Sequence, residues 1–289
     1  MSFLSLEQLP LAEALDRTAR LRKNLAELNP GASGVLVFSR LGLYHLSGAW
    51  VSGVLWVPLE GEPVLLCRKG VERARLDSPL ARIEEFKSYS QLPGLLRDAG
   101  APLGDTVAVE MTGLPWSMGE LLRSKLPGVD LVPGDMALSW TRAVKTPWEL
   151  AKMRLAGQRH DQALNDTLPG RIRPGMTERE IALAVWDAFY LHGHQGMMRM
   201  QNAGEEIFLG HVAAGDSANY PTVFNGPLGL RGAHPVLPFL GYAGKVWERH
   251  EPLALDCGFC LEGYHTDKTQ VFWAEEALVP EEADRAQDF

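Results

Sequence analysis

The segment from Glu251 to Trp273, EPLALDCGFCLEGYHTDKTQVFW, places the strongest constraint on how this chain can fold. Two runs with the composition of β-strands, residues 252–258 and 263–273, flank a short turn near Leu261-Glu262. Strand-like runs separated by so few residues are typical of an antiparallel hairpin. The sequence therefore predicts a two-stranded hairpin with a two-residue loop at Leu261-Glu262.

The predicted register brings two acidic side chains together. With the loop at that position, Asp256 lies directly opposite Asp267. Opposed like charges on one face of a sheet are destabilising. A bound divalent cation would compensate them, because oxygen-rich sites suit hard or borderline metals. The alternative is that one of the two aspartates points to solvent or caps a turn.

Length and composition limit the class of protein. The chain has 289 residues, of which 46% are apolar, and a net charge of −8. These values allow one large domain or two smaller ones and argue against a nucleic-acid or anionic-membrane partner. The N-terminal sequence does not resemble a signal peptide, and no apolar run approaches the roughly 20 residues that span a bilayer. Three cysteines make no disulfide framework. We predict a soluble, cytoplasmic protein.

Strands and helices alternate in the first part of the chain. Leu11, Leu15, Leu21 and Leu25 recur at roughly helical spacing, which predicts an amphipathic helix over residues 10–28. Further along, strands are predicted at 34–38, 54–58, 63–67 and 106–110, and helices at 91–98 and 117–125. This alternation is typical of a small α/β domain.

The pattern changes at residues 141–149, TRAVKTPWE. Thr146 as N-cap, Pro147 at the first helical position and Glu149 three residues after the cap predict the start of a helix. Residues 177–180, TERE, form a second capping box of the same kind. We therefore expect a second domain to begin in this region.

Three further motifs invite a chemical interpretation. Cys257 and Cys260 have the spacing of a redox pair, but such pairs act at a helix N-terminus, and residues three apart in a strand point to opposite faces. His192 and His194 lie at the end of a predicted helix with no third ligand nearby, which favours a loop. The methionine-rich run 197–200 is typical of core or pocket lining.

Four segments together carry a family resemblance. They are Tyr44-His45-Leu46-Ser47-Gly48, Lys145-Thr146-Pro147-Trp148-Glu149-Leu150, Pro174-Gly175-Met176-Thr177-Glu178, and Asp256-x-Gly258 followed by Gly263-Tyr264-x-x-Asp267-x-Thr269-x-x-Phe272. In this order they resemble the pita-bread metallopeptidases: Xaa-Pro aminopeptidases, prolidases, creatinases and, more distantly, methionine aminopeptidases. The last segment is the most specific, since the interval of eleven residues between Asp256 and Asp267 matches the family's first two metal ligands.

The resemblance implies a fold and an activity. The fold is an α+β protein with a creatinase-like N-terminal α/β domain over residues 1–140 and a pita-bread catalytic domain, incomplete in this chain, over 141–289. Asp256 and Asp267 would bind two divalent ions, Mn²⁺, Co²⁺ or Zn²⁺, one of the two side chains bridging both. Such a centre generates a hydroxide nucleophile at neutral pH. The implied activity is release of the N-terminal residue from Xaa-Pro peptides by a metal-bound hydroxide, in a homodimer.

Histidines before the hairpin are candidates for contact with substrate. His234 lies 22 residues before Asp256, near the place where the resemblance puts a catalytic, substrate-binding histidine. It could equally be a loop residue beside a proline turn. His211 is a rival substrate-binding residue, since residues 214–218 resemble the small-residue segment of the family there. His265 shares the face of the aspartates in the assumed register and is either a neighbour of the ligands or a solvated strand residue.

The resemblance leaves part of the metal site unassigned. Three more ligands, one His and two Glu, are expected well downstream, and no histidine follows His265 in this sequence. We therefore expect a part of a longer chain, or else a truncated relative. Two alternative functions stay open. One is a creatinase-like hydrolase of a small C–N substrate on the same fold, and the other is a non-catalytic module that binds a peptide or protein.

Overall fold

The computed structural model describes residues 5–199, 206–207, 210–222, 224, 226–275 and 279–281. Contacts within the chain divide it into two compact units, Met1–Lys145 and Thr146–Phe289. Each unit has its own main sheet and its own apolar core. Among the described residues, no helix is long and apolar enough to cross a membrane.

The first unit is an α/β domain with one mixed sheet. Its elements are, in order, α1 (Leu11–Leu28), β1 (Gly34–Val37), α2 (Arg40–Ser47), β2 (Ser52–Pro58), β3 (Val64–Lys69), α3 (Val71–Asp77), β4 (Arg82–Glu85), α4 (Leu92–Asp98), β5 (Thr106–Val109), α5 (Trp116–Lys125), β6 (Asp130–Pro133) and α6 (Asp135–Ala143). The strand order is β4-β3-β2-β1-β5-β6, with β1 antiparallel to β2 and parallel to β5. The strands and helices predicted here are confirmed to within two residues at each end.

Apolar residues cover both faces of this sheet. Side chains alternate along a strand, so neighbours on β1 enter different clusters. Val35 belongs to a buried cluster that includes Leu21 of α1. Leu36 belongs to a second cluster that includes Leu92 of α4. The central strands β1, β2, β3 and β5 therefore contain continuous apolar runs, as expected for a sheet with helices on both sides.

The second unit packs two long helices on one face of a three-stranded antiparallel sheet. Its elements are α7 (Pro147–Asp161), a π-helical turn (Gln162–Thr167), α8 (Glu178–Leu191), β7 (Met198–Arg199), β8 (Glu206–Ile207), β9 (Gly210–Ala214), β10 (Leu253–Leu261) and β11 (Tyr264–Phe272). The main sheet has the order β11-β10-β9, and β7 and β8 form a separate ribbon. Both predicted capping boxes are confirmed, with reciprocal bonds at Thr146–Glu149 and Thr177–Glu180.

The alternation of β10 determines what the helices cover. Its odd-numbered residues pack with Ile181, Val185 and Phe189 of α8 in one apolar cluster; these residues are Leu253, Leu255, Cys257, Phe259 and Leu261. Its even-numbered residues point to the other side. Asp256 therefore lies on the face that the helices leave uncovered.

The loop of the β10–β11 hairpin is displaced by one residue from its predicted position. It is formed by Glu262 and Gly263, whose φ angles are 52° and 82°. Two-residue hairpin loops favour positive φ at their central residues, and glycine adopts it without strain. The predicted loop would have required this conformation of Leu261 instead. The sequence Glu-Gly therefore fixes the loop one position later.

This displacement corrects the predicted register. Asp256 pairs with Thr269, and Asp267 pairs with Gly258. The prediction that the two aspartates lie directly opposite each other is therefore wrong. They are diagonal neighbours on the same face, because residues two apart along a strand point the same way.

Candidate metal-binding face

The two faces of the β9–β10–β11 sheet differ in character. One, called here the helix face, packs against α7 and α8. The other, called the Asp face, carries polar side chains from all three strands. From the strand registers, its residues include His211, Asp256, Gly258, Cys260, His265, Asp267 and Thr269.

Asp256 lies at the centre of the Asp face. Its Oδ1 accepts a hydrogen bond of 2.7 Å from the Thr269 hydroxyl. Its Oδ2 lies 3.8 Å from Nδ1 of His211, the residue that it pairs with in the neighbouring strand. That distance is too long for a hydrogen bond. The buried Nδ1 of His211 has no hydrogen-bond partner within the described part of the chain. Oδ2 of Asp256 and Nδ1 of His211 therefore face each other at a distance that would allow both to bind the same ion or substrate group.

The charges of this face act on one another. Asp267 is exposed, yet partial desolvation and the nearby charge of Asp256 raise the pKa of its carboxyl. Burial lowers the pKa of His211, and the two carboxylates oppose that effect. A cation between these groups would favour the ionised carboxylates and the neutral imidazole. The electrostatics therefore suit a bound positive ion.

Aromatic residues from the loop after β9 border the Asp face. The ring centroids of His211 and Phe224 lie 4.9 Å apart, and those of Phe224 and Phe239 lie 6.3 Å apart. A Cβ added to Gly226 would lie 3.5 Å from Oδ2 of Asp256. Phe224 and Phe239 were not predicted as site residues, because isolated aromatics in a Gly- and Pro-rich loop give no periodic signal. They form an apolar wall beside the carboxylates.

Met198 packs directly over Gly258 on the Asp face. A Cβ on Gly258 would lie 2.0 Å from the Sδ atom of Met198, so a larger residue there would require the flexible end of the Met198 side chain to move. Met198 itself is buried. Met198 thus lines the face and has the core or pocket role predicted for the methionine run, whereas Met197 of the same run is exposed. Met200 of that run lies outside the described residues.

The remaining candidate histidines differ in their surroundings. His234 is exposed, its Nδ1 accepts the Val236 N–H at 3.2 Å, and its backbone pairs with Leu237. In the described part of the chain, no contact joins His234 to Asp256. His265 lies on the Asp face, and burial lowers its pKa. Of the two predicted substrate histidines, the structure thus brings His211 to the carboxylates and gives His234 local contacts.

The cysteine pair and the His-Gly-His motif have structural surroundings. Cys257 is on the helix face and Cys260 on the Asp face, and burial raises the pKa of both thiols. Nε2 of His192 lies 2.8 Å from Oγ1 of Thr167. Nδ1 of His194 accepts the Cys260 N–H at 2.9 Å. The two thiols thus point to opposite faces of the sheet, and each of the two histidines contacts a neighbouring group within the described residues.

The Asp face fits part of a metal site. Two carboxylates and one unpartnered imidazole nitrogen are donors that divalent ions such as Mn²⁺, Co²⁺ and Zn²⁺ accept. Where the structure describes the chain, no three His, Cys, Asp or Glu side chains converge closely enough to hold one ion. Asp256, Asp267 and the neighbouring His211 thus offer donor atoms of the kind that divalent ions accept, and the described residues add no further ligand.

Comparison with protein families matches both halves of the chain. Residues 17–144 match the creatinase/prolidase N-terminal domain, and residues 151–288 match metallopeptidase family M24. No curated protein matches the sequence significantly.

Solved structures share the fold of this chain at low sequence identity. An Xaa-Pro dipeptidase from Bacillus anthracis is 19% identical, with a TM-score of 0.72 over 95% of this chain and 68% of that one. An X-Pro aminopeptidase from Thermotoga maritima MSB8 is 22% identical, with a TM-score of 0.64 over 88% and 64%. The prolidase from Pyrococcus furiosus is 21% identical, with a TM-score of 0.66 over 88% and 69%. The chain thus spans about two thirds of the length of these proteins.

Proposed function

The chain belongs to metallopeptidase family M24, with a creatinase-type N-terminal domain before its pita-bread domain, and we propose that it is a metal-dependent peptidase. The proposed reaction is release of the N-terminal residue from peptides with proline in second position. The observation that carries this proposal is the Asp face, where Oδ2 of Asp256 and the unpartnered Nδ1 of His211 face each other beside Asp267. The names of the neighbouring structures support the substrate class.

The family typically uses divalent metals, and we propose Mn²⁺, Co²⁺ or Zn²⁺ for this protein. Such ions polarise the scissile carbonyl and activate water when they are bound. Asp256 and Asp267 would hold them. The resemblance implies three further ligands, one His and two Glu, and we assign no residue of this sequence to them. The proposal therefore concerns the protein that has its complete ligand set.

The side chains around the carboxylates have distinct proposed roles. The Thr269 hydroxyl fixes Oδ1 of Asp256, which leaves Oδ2 directed toward His211. Because burial favours its neutral form, the His211 imidazole can bind substrate or accept a proton at Nδ1. Phe224 lies against that ring and would exclude water from it. His234 keeps its proposed role of positioning substrate from the loop.

The direct test uses the full-length protein with added Mn²⁺ or Co²⁺ and a panel of Xaa-Pro peptides. Asp256→Asn and Asp267→Asn are each expected to lower activity on the order of 10³-fold or more, the scale of losing a catalytic group. Asp161→Asn is the matched control. The carboxylate of Asp161 accepts a hydrogen bond from Lys268, which is next to Asp267 in the strand but points to the helix face. The activity of Asp161→Asn should match wild type.

Other outcomes of this test separate the alternatives. Unchanged activity in both Asp256→Asn and Asp267→Asn would reject the metal mechanism. Metal-dependent hydrolysis of small C–N substrates without cleavage of Xaa-Pro peptides would indicate the creatinase-like activity instead. A full-length protein that binds peptide but neither binds metal nor hydrolyses would indicate the non-catalytic module.

We also propose that the protein is a cytoplasmic homodimer, as the resemblance implies. Light scattering of the purified full-length protein gives the mass of the assembly. A mass of one chain at micromolar concentration would reject the dimer. Fractionation of cells that express the tagged protein tests its location.

A further inference from the structure

Glu178 is a buried acid that the proposed mechanism does not use. It is the first residue of α8 and is 0% exposed. The capping box of this helix uses Thr177 and Glu180 instead, so Glu178 is not needed for that purpose. Burial raises the pKa of Glu178, although hydrogen bonds from the backbone favour its charged form. Burying a charge is costly unless it is fully hydrogen-bonded, so its two oxygens require partners.

Each oxygen of Glu178 accepts a backbone N–H from a different segment. Oε1 accepts the N–H of Ala214 at 2.8 Å, and Oε2 accepts the N–H of Tyr242 at 2.8 Å. The two segments approach this carboxylate closely. A Cβ on Gly241 would lie 2.5 Å from the carbonyl of Glu178, so that position accepts only glycine without movement. Glu178 thus joins the end of β9 to the loop around residue 241.

Both segments also hold the backbone of His211. On one side, β9 pairs with β10, where His211 is opposite Asp256. On its other side, His211 forms an isolated bridge with Leu240, whose N–H donates to the Gly210 carbonyl at 2.9 Å. Ala214 lies three residues beyond His211, and Tyr242 lies two residues beyond Leu240. The carboxylate of Glu178 therefore anchors both flanks of this short strand.

We infer that Glu178 is a positioning residue, which directs the His211 ring toward Asp256 through its bonds to Ala214 and Tyr242. The inference deepens the proposed function, because it rests on His211 being part of the metal-binding face. The contacts that support it are all between protein groups and involve no metal ion. Charged hydrogen bonds to two backbone amides are stronger than neutral ones and tolerate little movement of either segment.

The test is Glu178→Gln, which keeps the shape of the side chain but has only one acceptor oxygen. One of the two amides therefore loses its partner. With the histidine rings labelled at Cε1, the NMR resonance of His211 is identified by its loss in His211→Gln. In metal-free Glu178→Gln, this resonance is expected to move, and hydrogen exchange at Ala214 or Tyr242 is expected to accelerate by about tenfold or more.

A titration with Mn²⁺ gives the second measurement. In the wild-type full-length protein, Mn²⁺ should broaden the His211 resonance. In Glu178→Gln, the Mn²⁺ concentration for half broadening is expected to rise by about 10–100-fold, the scale for residues that orient metal-site side chains. Glu180→Gln is the matched control. It removes a carboxylate from the same helix terminus, but the carboxylate of Glu180 accepts hydrogen bonds from Thr177 and not from Ala214 or Tyr242. Glu180→Gln should move neither the resonance nor the titration.

The possible failures are distinguishable. If Mn²⁺ does not affect His211 in wild type, the proposed function is contradicted, while the metal-free shift still decides the role of Glu178. If Glu178→Gln accelerates exchange but leaves the His211 resonance and the Mn²⁺ titration unchanged, Glu178 is only structural and the inference is overturned.

Two further measurements keep the inference testable if Glu178→Gln does not fold, as judged by circular dichroism. Gly241→Ala displaces the loop from Glu178 and should produce the same shift of the His211 resonance. In the wild-type chain, the amides of Ala214 and Tyr242 should exchange as slowly as those of the β9–β10 ladder. Exchange at the rate of exposed loop amides would overturn the inference without any variant.

Discussion

The helix face and the Asp face of the β9–β10–β11 sheet use the same residue type in opposite ways. On the helix face, His160 and His194 pack around Phe259, with ring centroids 5.6 and 5.2 Å from it. Burial lowers the pKa of each of these histidines to about 4. They therefore act as uncharged parts of the core near neutral pH.

On the Asp face, burial acts on histidine in the same direction, but carboxylates oppose it. His211 has Asp256 and Asp267 as charged neighbours, and both favour its protonated form. A histidine beside carboxylates can bind a proton or a metal ion, because the negative charges stabilise the bound cation. A histidine in the apolar core has no such partner. The comparison teaches that the alternation of one strand separates the residues that stabilise the unit from those suited to chemistry.

The largest expected effect comes from emptying the helix face. Phe259 is 0% exposed and contacts Phe189 and both buried histidines. Phe259→Ala should lower the free energy of unfolding by about 3–5 kcal/mol, the range for large-to-small changes in a core. Urea denaturation measures it. Thr269→Ala, an exposed change on the Asp face, should cost less than about 1 kcal/mol. Equal losses in the two variants would contradict the division between the faces.

The acid sensitivity of the chain should come from the helix face. The pKa of His160 and of His194 is about 4 in the folded state against an ordinary value of 6.5. The unfolded chain therefore binds protons first as the pH falls, and stability is lost between about pH 6.5 and 4. At pH 5, the loss should be about 2 kcal/mol for each histidine relative to pH 8.

Urea denaturation at several pH values checks this effect. The variants His160→Gln and His194→Gln should each reduce the difference in stability between pH 8 and pH 5. His234→Gln, which removes an exposed imidazole, is the control and should leave that difference unchanged. A full acid response in His160→Gln, His194→Gln and their combination would show that the buried histidines are not its source.

The smallest expected change in stability comes from the Asp face. Its dependence on pH has the opposite sign to that of the buried histidines. The pKa of Asp267 is raised, so its ionised form destabilises the metal-free chain at neutral pH, and protonation relieves this as the pH falls. Because the side chain is exposed, Asp267→Asn should raise stability by only a few tenths of a kcal/mol at pH 7. The gain should vanish at acid pH. Asp161→Asn, which loses the bond from Lys268, should give no gain.

Local sequence signals predicted most of the fold. The capping boxes at Thr146 and Thr177 involve residues three apart, and the predicted helices begin there. The hairpin was also predictable, but its register depended on a conformational preference at one position. A loop at Leu261-Glu262 would require positive φ at Leu261, whereas the observed loop places positive φ at Gly263, where it causes no strain. A single step of the loop then changed every pair in the ladder.

The site needed contacts that no local pattern contains. His211 meets Asp256 because β9 pairs with β10 across a long Gly- and Pro-rich segment, and the length of such a segment does not specify the register. Phe224 and Glu178 join the same region from a loop and from a helix terminus. Spacing along the chain favoured His234 equally, since sequence distance alone cannot distinguish an exposed loop from a paired strand.

The alternation of β10 limits how the length of this hairpin can change in evolution. Deletion of a single residue between Leu253 and Asp256 would rotate the rest of the strand by one position. The carboxylate would then enter the apolar cluster around Phe189, and Cys257 would take its place beside His211. Deletion of two residues would preserve both faces. Viable length variants of this strand should therefore differ by even numbers of residues, or carry their changes in the loops.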